Sequence, residues 1–179
     1  DLLRASGGFD ETFGRQEDIE LAYRMQRDLG IRFAFEPAAA ALHRPNRTFE
    51  SWARTPYAYG SLDVTRAREG NASWRYVWGN YHWRNVLTRL LARWTLPRPR
   101  LAEPVRAGLL RISNVLWRVP GVGRSAALSV LSAIYNVRYL EGARDAIGGW
   151  PALAEMLAWP SEDPRVLAEG PASTPVASR

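Results

Sequence analysis

The sequence predicts an α/β fold for the front of the chain. Residues 17–29 repeat apolar side chains at helical spacing, and Gly30 follows where a left-handed residue would end the helix. Residues 31–36 then alternate apolar and polar side chains, which predicts a strand with one buried face. Pro37 ends this strand, and residues 38–42 form a second short apolar stretch. Because one strand is not stable alone, we expect it to need partner strands.

The remainder of the chain predicts helices. Thr48 is placed to cap a short helix that Pro56 would end. From residue 73 apolar side chains recur at helical spacing. Further helices are predicted at residues 105–119, 125–140 and 151–159, and the first two of these are joined by a Gly-rich turn.

Three parts follow from these patterns. We expect an α/β piece at residues 1–66 and a helical appendage at residues 67–159. Residues 160–179 are rich in Pro, Ser, Ala and Glu, which predicts a disordered tail. The chain opens on Asp1 in mid-pattern, so we expect it to be the back part of a larger protein.

Composition excludes several kinds of chemistry. The 179 residues carry a net charge of +6, their basic residues are all Arg, and Cys is absent. Disulfides, thiolate catalysis and Cys-based zinc sites are therefore excluded. No apolar run reaches the ~18 residues that a membrane span needs. Abundant Arg with eight Trp indicates a surface that meets phosphates of lipid or nucleic acid. The alternative is the solvated surface of a basic protein.

An acidic group opens the helix predicted at residues 17–29. At about 100° per residue, one broad side of this helix is apolar and the other is polar. The apolar side holds Ile19, Leu21, Ala22, Tyr23, Met25 and Leu29, and the polar side holds Glu17, Glu20, Arg24, Arg27 and Asp28. Asp18 falls in the middle of the apolar side, in the first turn. There the helix dipole favours the ionised carboxylate, which suits a general base. The alternative is a capping Asp that bonds to the backbone.

His43 follows the apolar stretch at residues 38–42. Functional sites of α/β folds lie at strand ends, and a neutral imidazole there can bind a divalent metal with carboxylates from elsewhere. The alternative is a hydrogen-bonded structural histidine.

The front part contains a series of short motifs: Gly8-Phe9-Asp10-Glu11, Glu17-Asp18-Ile19-Glu20-Leu21 with Arg24, Gly30 with Phe35 and Pro37, and His43. Together these motifs resemble the C-terminal half of a family 2 glycosyltransferase catalytic domain. The resemblance covers about residues 1–49 and implies a GT-A (Rossmann-like) fold, a nucleotide-sugar donor and a divalent metal, Mn²⁺ or Mg²⁺. It places an Asp-x-Asp motif for the metal and diphosphate upstream of Asp1, so the fragment alone is expected to be inactive.

The resemblance also implies roles for individual residues. Asp18, in the Glu17-Asp18 pair, matches the base that deprotonates the acceptor hydroxyl, and His43 matches a histidine that completes the metal site. The implied reaction is inverting transfer to a saccharide or a lipid-linked acceptor, in cell-surface polysaccharide or glycolipid synthesis. The segment that borders donor and acceptor is matched by Gly7, Gly8, Phe9 and Asp10.

The appendage mixes Trp with Arg. Trp prefers the headgroup level of a membrane and Arg pairs with anionic lipids, so we expect a cytoplasmic protein that is peripheral at the inner face of the cell membrane. The alternative is a set of core aromatics with solvated Arg. The residues concerned are Trp74, Trp78, Trp83, Trp94 and Trp117, with Arg75, Arg84, Arg89, Arg93 and Arg118.

A turn in the appendage supports a rival function. Pro120-Gly121-Val122-Gly123 resembles a helix-hairpin-helix motif, in which backbone amides bind a nucleic-acid phosphate. That motif usually occurs in pairs and stands alone here, so nucleic acid is the less favoured partner and a tight interhelical turn is the simpler interpretation. A third class is a non-catalytic interaction module that keeps the fold without the activity.

Overall fold

The computed structural model describes residues 1–11, 17–42, 48–70 and 73–167, and every regular element in these ranges is an α-helix. The chain divides into two compact units, Asp1–Arg47 and Thr48–Arg179. The helices are α1 (Leu2–Ala5), α2 (Glu17–Leu29), α3 (Phe49–Arg68), α4 (Arg75–His82), α5 (Val86–Thr95), α6 (Pro99–Trp117), α7 (Gly123–Ile147), α8 (Trp150–Leu157) and α9 (Pro164–Leu167).

The predicted α/β fold is wrong, and the GT-A (Rossmann-like) fold implied by the resemblance is wrong with it. Residues 31–36 and 38–42 form no strand, and Phe35 exposes 91% of its surface. A strand needs hydrogen-bonding neighbours, and no strand occurs in the described residues to supply them. The alternating pattern therefore has no sheet to bury its apolar face.

The first unit is organised around α2. This helix occupies the predicted residues, Glu17–Leu29, and Gly30 ends it with φ +63°, which confirms the left-handed stop. Leu21 is buried, whereas the acidic first turn is exposed apart from the half-buried Glu20.

Helices α3 and α7 form the centre of the second unit. Near the start of α3, the Trp52 ring lies 5.6 Å from the ring of Tyr135. At the end of α3, Arg68 donates two hydrogen bonds of 2.7 Å to the carbonyls of Ala146 and Ile147. Contacts thus advance along both helices together, so α3 and α7 run in the same direction. Parallel neighbours need a long connection, and α4, α5 and α6 supply it.

Two glycines allow α3 and α7 to approach at backbone distance. A Cβ atom added at Gly60 would collide with the carbonyl oxygen of Tyr139 on α7. A Cβ atom at Gly142 would likewise collide with the carbonyl oxygen of Tyr57 on α3. Each glycine therefore faces the backbone of the opposite helix, where any side chain would force the pair apart.

Helix α3 is longer than predicted. Thr48 caps it as expected, because its hydroxyl accepts a 3.1 Å hydrogen bond from the amide of Ser51. The predicted end at Pro56 is wrong, since the helix continues to Arg68. Pro56 is buried in α3, whose packing against α7 continues past it at Gly60. That packing outweighs the cost of a proline inside a helix.

The core lies where α4, α5 and α8 close over α3 and α7. Two of the predicted interfacial tryptophans, Trp74 and Trp78, are partly buried and pack against this core. Among the described residues, no helix is both long enough and apolar enough to cross a membrane. The buried cluster consists of Val64, Val77, Ala92, Leu96, Val137, Tyr139, Leu140, Ala143, Leu153, Met156 and Leu157.

The helices predicted near the C-terminus are present as α6, α7 and α8, with α6 and α7 longer than expected. Helix α9, Pro164–Leu167, lies in the stretch predicted as a tail, and its Val166 is buried. Residues 168–179 lie outside the described residues.

The close contact of α3 and α7 makes a stability prediction. We expect Gly60→Ala to lower the free energy of unfolding of the second unit by about 3 kcal/mol, because the added methyl group overpacks a backbone contact. Gly108→Ala on α6 is the matched control, since a Cβ atom there meets no atom within 4 Å. The control should be neutral or stabilise by up to about 1 kcal/mol. Chemical denaturation measures both, and equal effects would contradict the close contact.

Candidate functional site

Arg24 joins helix α2 to the Gly7-Gly8 turn. Its Nε and Nη2 atoms donate to the two carboxylate oxygens of Glu20, at 2.9 and 2.8 Å. Nη2 also donates to the carbonyl of Gly8 at 2.8 Å, and Nη1 donates to the carbonyl of Ser6. The hydrogen bond with Glu20 raises the pKa of the Arg24 guanidinium, which stays charged. The planar guanidinium group thereby holds the turn against helix α2.

The turn itself depends on glycine. Gly7 and Gly8 have φ values of +80° and +76°, in the left-handed region that other residues avoid. Their amides donate to the carbonyls of Arg4 and Leu3, at 3.0 and 2.9 Å, and so end α1. This geometry leaves the Gly8 carbonyl pointing at Arg24.

Asp18 lies at an open groove on α2. The carboxylate is exposed in the first turn, and its Oδ1 accepts a 2.9 Å hydrogen bond from the amide of Ile19. The side chain therefore lines the groove. Asp18 is the second residue of α2, and its bond to the adjacent Ile19 amide is not the N-cap bond of the capping alternative. The groove encloses about 330 Å³ and is lined by Asp18, Ile19, Ala22, Tyr23, Gln26 and Phe33.

The other predicted site residues are distributed as follows. Phe9 and Glu17 are exposed, and the half-buried Asp10 contributes to the raised pKa of Arg24 through its negative charge. The residues that line the groove do not include the Gly7-Gly8 turn. The structure thus brings the turn to Arg24 and Glu20, while Asp18 lies in a groove of its own.

His43, the predicted metal ligand, lies outside the described residues. Within residues 1–11, 17–42, 48–70 and 73–167, no three His, Cys, Asp or Glu side chains are grouped to hold a metal ion.

Sequence reasoning missed the role of Arg24. It assigned the residue to the polar side of α2 and left it without a partner. The signal was present, because Glu20 and Arg24 are four residues apart and so are neighbours on a helix surface. The bond to the Gly8 carbonyl has no such signal, because it joins residues 16 positions apart.

The helix-hairpin-helix resemblance falls on the turn between α6 and α7. Gly121 has φ +74°, and a Cβ atom at Gly123 would collide with the carbonyl oxygen of Leu116. A tight interhelical turn therefore accounts for both glycines without a bound phosphate.

The chain was compared with protein-family models, curated proteins and solved structures, and it matches none of them. The resemblance to family 2 glycosyltransferases consequently depends on the quoted motifs alone.

The Arg24 cluster makes a prediction about local order. Arg24→Gln removes three or more charge-assisted hydrogen bonds, each typically worth about 1.5–3 kcal/mol. The amides of Gly7 and Gly8 should then exchange hydrogen at least about tenfold faster. Arg27→Gln is the control, because Arg27 is exposed and pairs with its neighbour Asp28. Exchange that is unchanged in Arg24→Gln, or equally accelerated in both variants, would show that Arg24 does not hold the turn.

Proposed function

We propose that the protein carrying this chain transfers a sugar from a nucleoside-diphosphate sugar to an acceptor hydroxyl, with Asp18 as the general base. The observation that carries this proposal is the exposed Asp18 carboxylate at a groove on the start of α2. An acceptor hydroxyl is a poor nucleophile until a base accepts its proton. The Asp18 carboxylate lies in the first turn of α2, where it is exposed and can accept that proton.

The groove has the composition of a sugar subsite. Tyr23 and Phe33 supply aromatic surface, and Ile19 and Ala22 supply aliphatic surface. Gln26 adds an amide that can donate to and accept from hydroxyl groups. Small-molecule sites combine apolar walls with a few polar groups in this way. The acceptor would place its apolar ring face on the walls and one hydroxyl near Asp18.

The reaction is a single in-line displacement. The acceptor oxygen forms a bond to the anomeric carbon as the bond from that carbon to the diphosphate oxygen breaks. The hydroxyl proton moves to Asp18, and the nucleoside diphosphate leaves with the bonding electron pair. Attack from the face opposite the leaving group inverts the anomeric configuration.

Two further features support the proposal. The Gly7-Gly8 turn matches the segment that borders donor and acceptor in the family, and Arg24 ties it to the helix that carries Asp18. Helix α2 therefore carries the proposed base and is also bonded to the turn. Bound Mn²⁺ or Mg²⁺ would stabilise the charge on the leaving diphosphate, and His43 is the residue proposed to bind it.

We propose that transfer takes place at the cytoplasmic face of a membrane, in cell-surface polysaccharide or glycolipid synthesis. The Arg and Trp content of the appendage supports this location. The acceptor is then a saccharide or a lipid-linked sugar.

The substitution Asp18→Asn, made in the protein as its gene encodes it, tests the role of Asp18 as general base. Turnover should fall about 10²-fold or more while donor binding stays nearly intact, because only proton transfer is lost. Asp28→Asn is the matched control at the other end of α2, where the exposed Asp28 pairs with Arg27. Turnover of Asp18→Asn within a few-fold of wild type would assign the base elsewhere, with Glu17 as the next candidate.

The test of the metal ligand is His43→Ala. Loss of an imidazole ligand should raise the Mn²⁺ concentration for half-maximal binding about tenfold or more, as measured by calorimetry, and excess Mn²⁺ should partly restore turnover. Unchanged Mn²⁺ affinity with a lowered melting temperature would instead identify His43 as a structural histidine.

A further inference from the structure

Positive charge is concentrated in one stretch of the chain. Residues 70–140 contain eleven Arg and one acidic residue, Glu103, which is a formal charge of +10. The net charge of the whole chain is only +6, so the remaining residues are net acidic. Residues 70–102 contain six Arg and no acidic residue. This stretch forms α4, α5 and the start of α6.

Helix α5 lies in this stretch and presents an apolar stripe to solvent. The stripe consists of Val86, Leu87, Leu90 and Trp94, with Trp83 immediately before the helix. Exposure ranges from 49% at Trp94 to 64% at Trp83. The four helical members occupy an arc of about 100° when successive residues turn by about 100°. Four large apolar side chains are thus exposed on one face of α5, and Trp83 is exposed at the end of α4.

The stripe points outward because the other face of α5 is packed. Thr88, Ala92 and Thr95 are buried on that face, and Leu96 is buried just beyond it. Arg144 of α7 donates a 3.0 Å hydrogen bond to the carbonyl of Leu96. The helix therefore cannot turn its apolar stripe inward without losing its core contacts.

Arginines border the stripe. Arg89 and Arg93 lie beside Val86 and Leu90 on the helix surface, by the same angular spacing. No ion pair formed among the described residues includes Arg84, Arg89 or Arg93. Their charges are consequently available to an anionic partner.

We propose that α5 docks on an anionic lipid bilayer. The helix would lie in the plane of the interface, with the apolar stripe at the boundary of the acyl chains and Arg89 and Arg93 on headgroup phosphates. Exposed Val and Leu favour a bilayer over nucleic acid, because a phosphate backbone offers aliphatic side chains nothing to bury against. The inference rests on the membrane location proposed above and is independent of the chemistry of Asp18.

Sedimentation with vesicles tests this docking. Wild-type protein should sediment with vesicles of phosphatidylcholine and phosphatidylglycerol and only weakly with phosphatidylcholine alone. High salt should weaken the binding without abolishing it, because insertion of apolar side chains is not screened. The triple variant L87S/L90S/W94S should bind anionic vesicles about tenfold or more weakly. Arg89→Gln with Arg93→Gln should weaken anionic binding alone and preserve the fold.

The control is I112S/V115S on α6, because Ile112 and Val115 are exposed to a similar extent, 51% and 65%. It should bind like wild type, and circular dichroism should show that all variants remain helical. Wild-type protein that ignores anionic vesicles would overturn the proposal. Equal losses in the α5 and α6 variants, or tighter binding to duplex DNA than to vesicles, would also overturn it. Asp18→Asn should sediment like wild type, which separates a failure of docking from a failure of the proposed catalysis.

Discussion

The second unit depends on the backbone contact between α3 and α7. Because Gly60 and Gly142 carry no side chain, the two helices approach closely enough for Tyr139 to donate a 2.6 Å hydrogen bond to Asp63. Burial raises the pKa of the Asp63 carboxyl, and the hydrogen bond from Tyr139 opposes that rise. If the two helices were further apart, the buried Asp63 carboxyl would lose its hydrogen-bond partner. The core therefore requires the close contact of α3 and α7.

The orientation of α5 follows from the same contact. The core that α3 and α7 create accepts Ala92 and Leu96, which sets the rotation of α5 about its axis. The apolar stripe is exposed as a consequence, and arginines border it. In the first unit Arg24 has the corresponding organising role, because one guanidinium fixes the Gly8 carbonyl to α2. Each unit thus depends on a close contact between groups distant in sequence. A candidate functional surface lies on the helix that this contact positions.

Local sequence signals predicted α2, its glycine end and the Thr48 cap, because helical spacing and capping act within a few residues. The prediction of a strand at residues 31–36 was wrong, because a strand depends on partner strands that the local alternation of apolar and polar residues cannot specify. The helix end at Pro56 was wrong because packing against α7, some 80 residues away, decides the length of α3. The role of Gly60 also cannot be found locally, because it depends on the backbone of Tyr139 on α7.

In the candidate site, too, local features were predictable from the sequence and long-range contacts were not. The position of Asp18 on α2 follows from helical periodicity, and the salt bridge from Glu20 to Arg24 follows from their spacing, whereas the bond from Arg24 to Gly8 requires the folded turn. The catalytic role of Asp18 stays a prediction drawn from its position and from the resemblance. The arginines that are proposed to meet a membrane were visible in the sequence. Only packing separates Trp78, which lies against the core, from the exposed Trp94.

The most direct measurement uses the protein as its gene encodes it. The protein is given a panel of nucleoside-diphosphate sugars with Mn²⁺ or Mg²⁺, and turnover of each sugar donor is measured. Phosphorus NMR follows release of free nucleoside diphosphate, and proton NMR reads the anomeric configuration of the new glycoside. If the protein transfers sugar, at least one donor should release nucleoside diphosphate when an acceptor is present. The glycoside product should have the inverted anomeric configuration. No release from any donor, by protein that still binds anionic vesicles through α5, would contradict it and identify a membrane-binding module without catalysis.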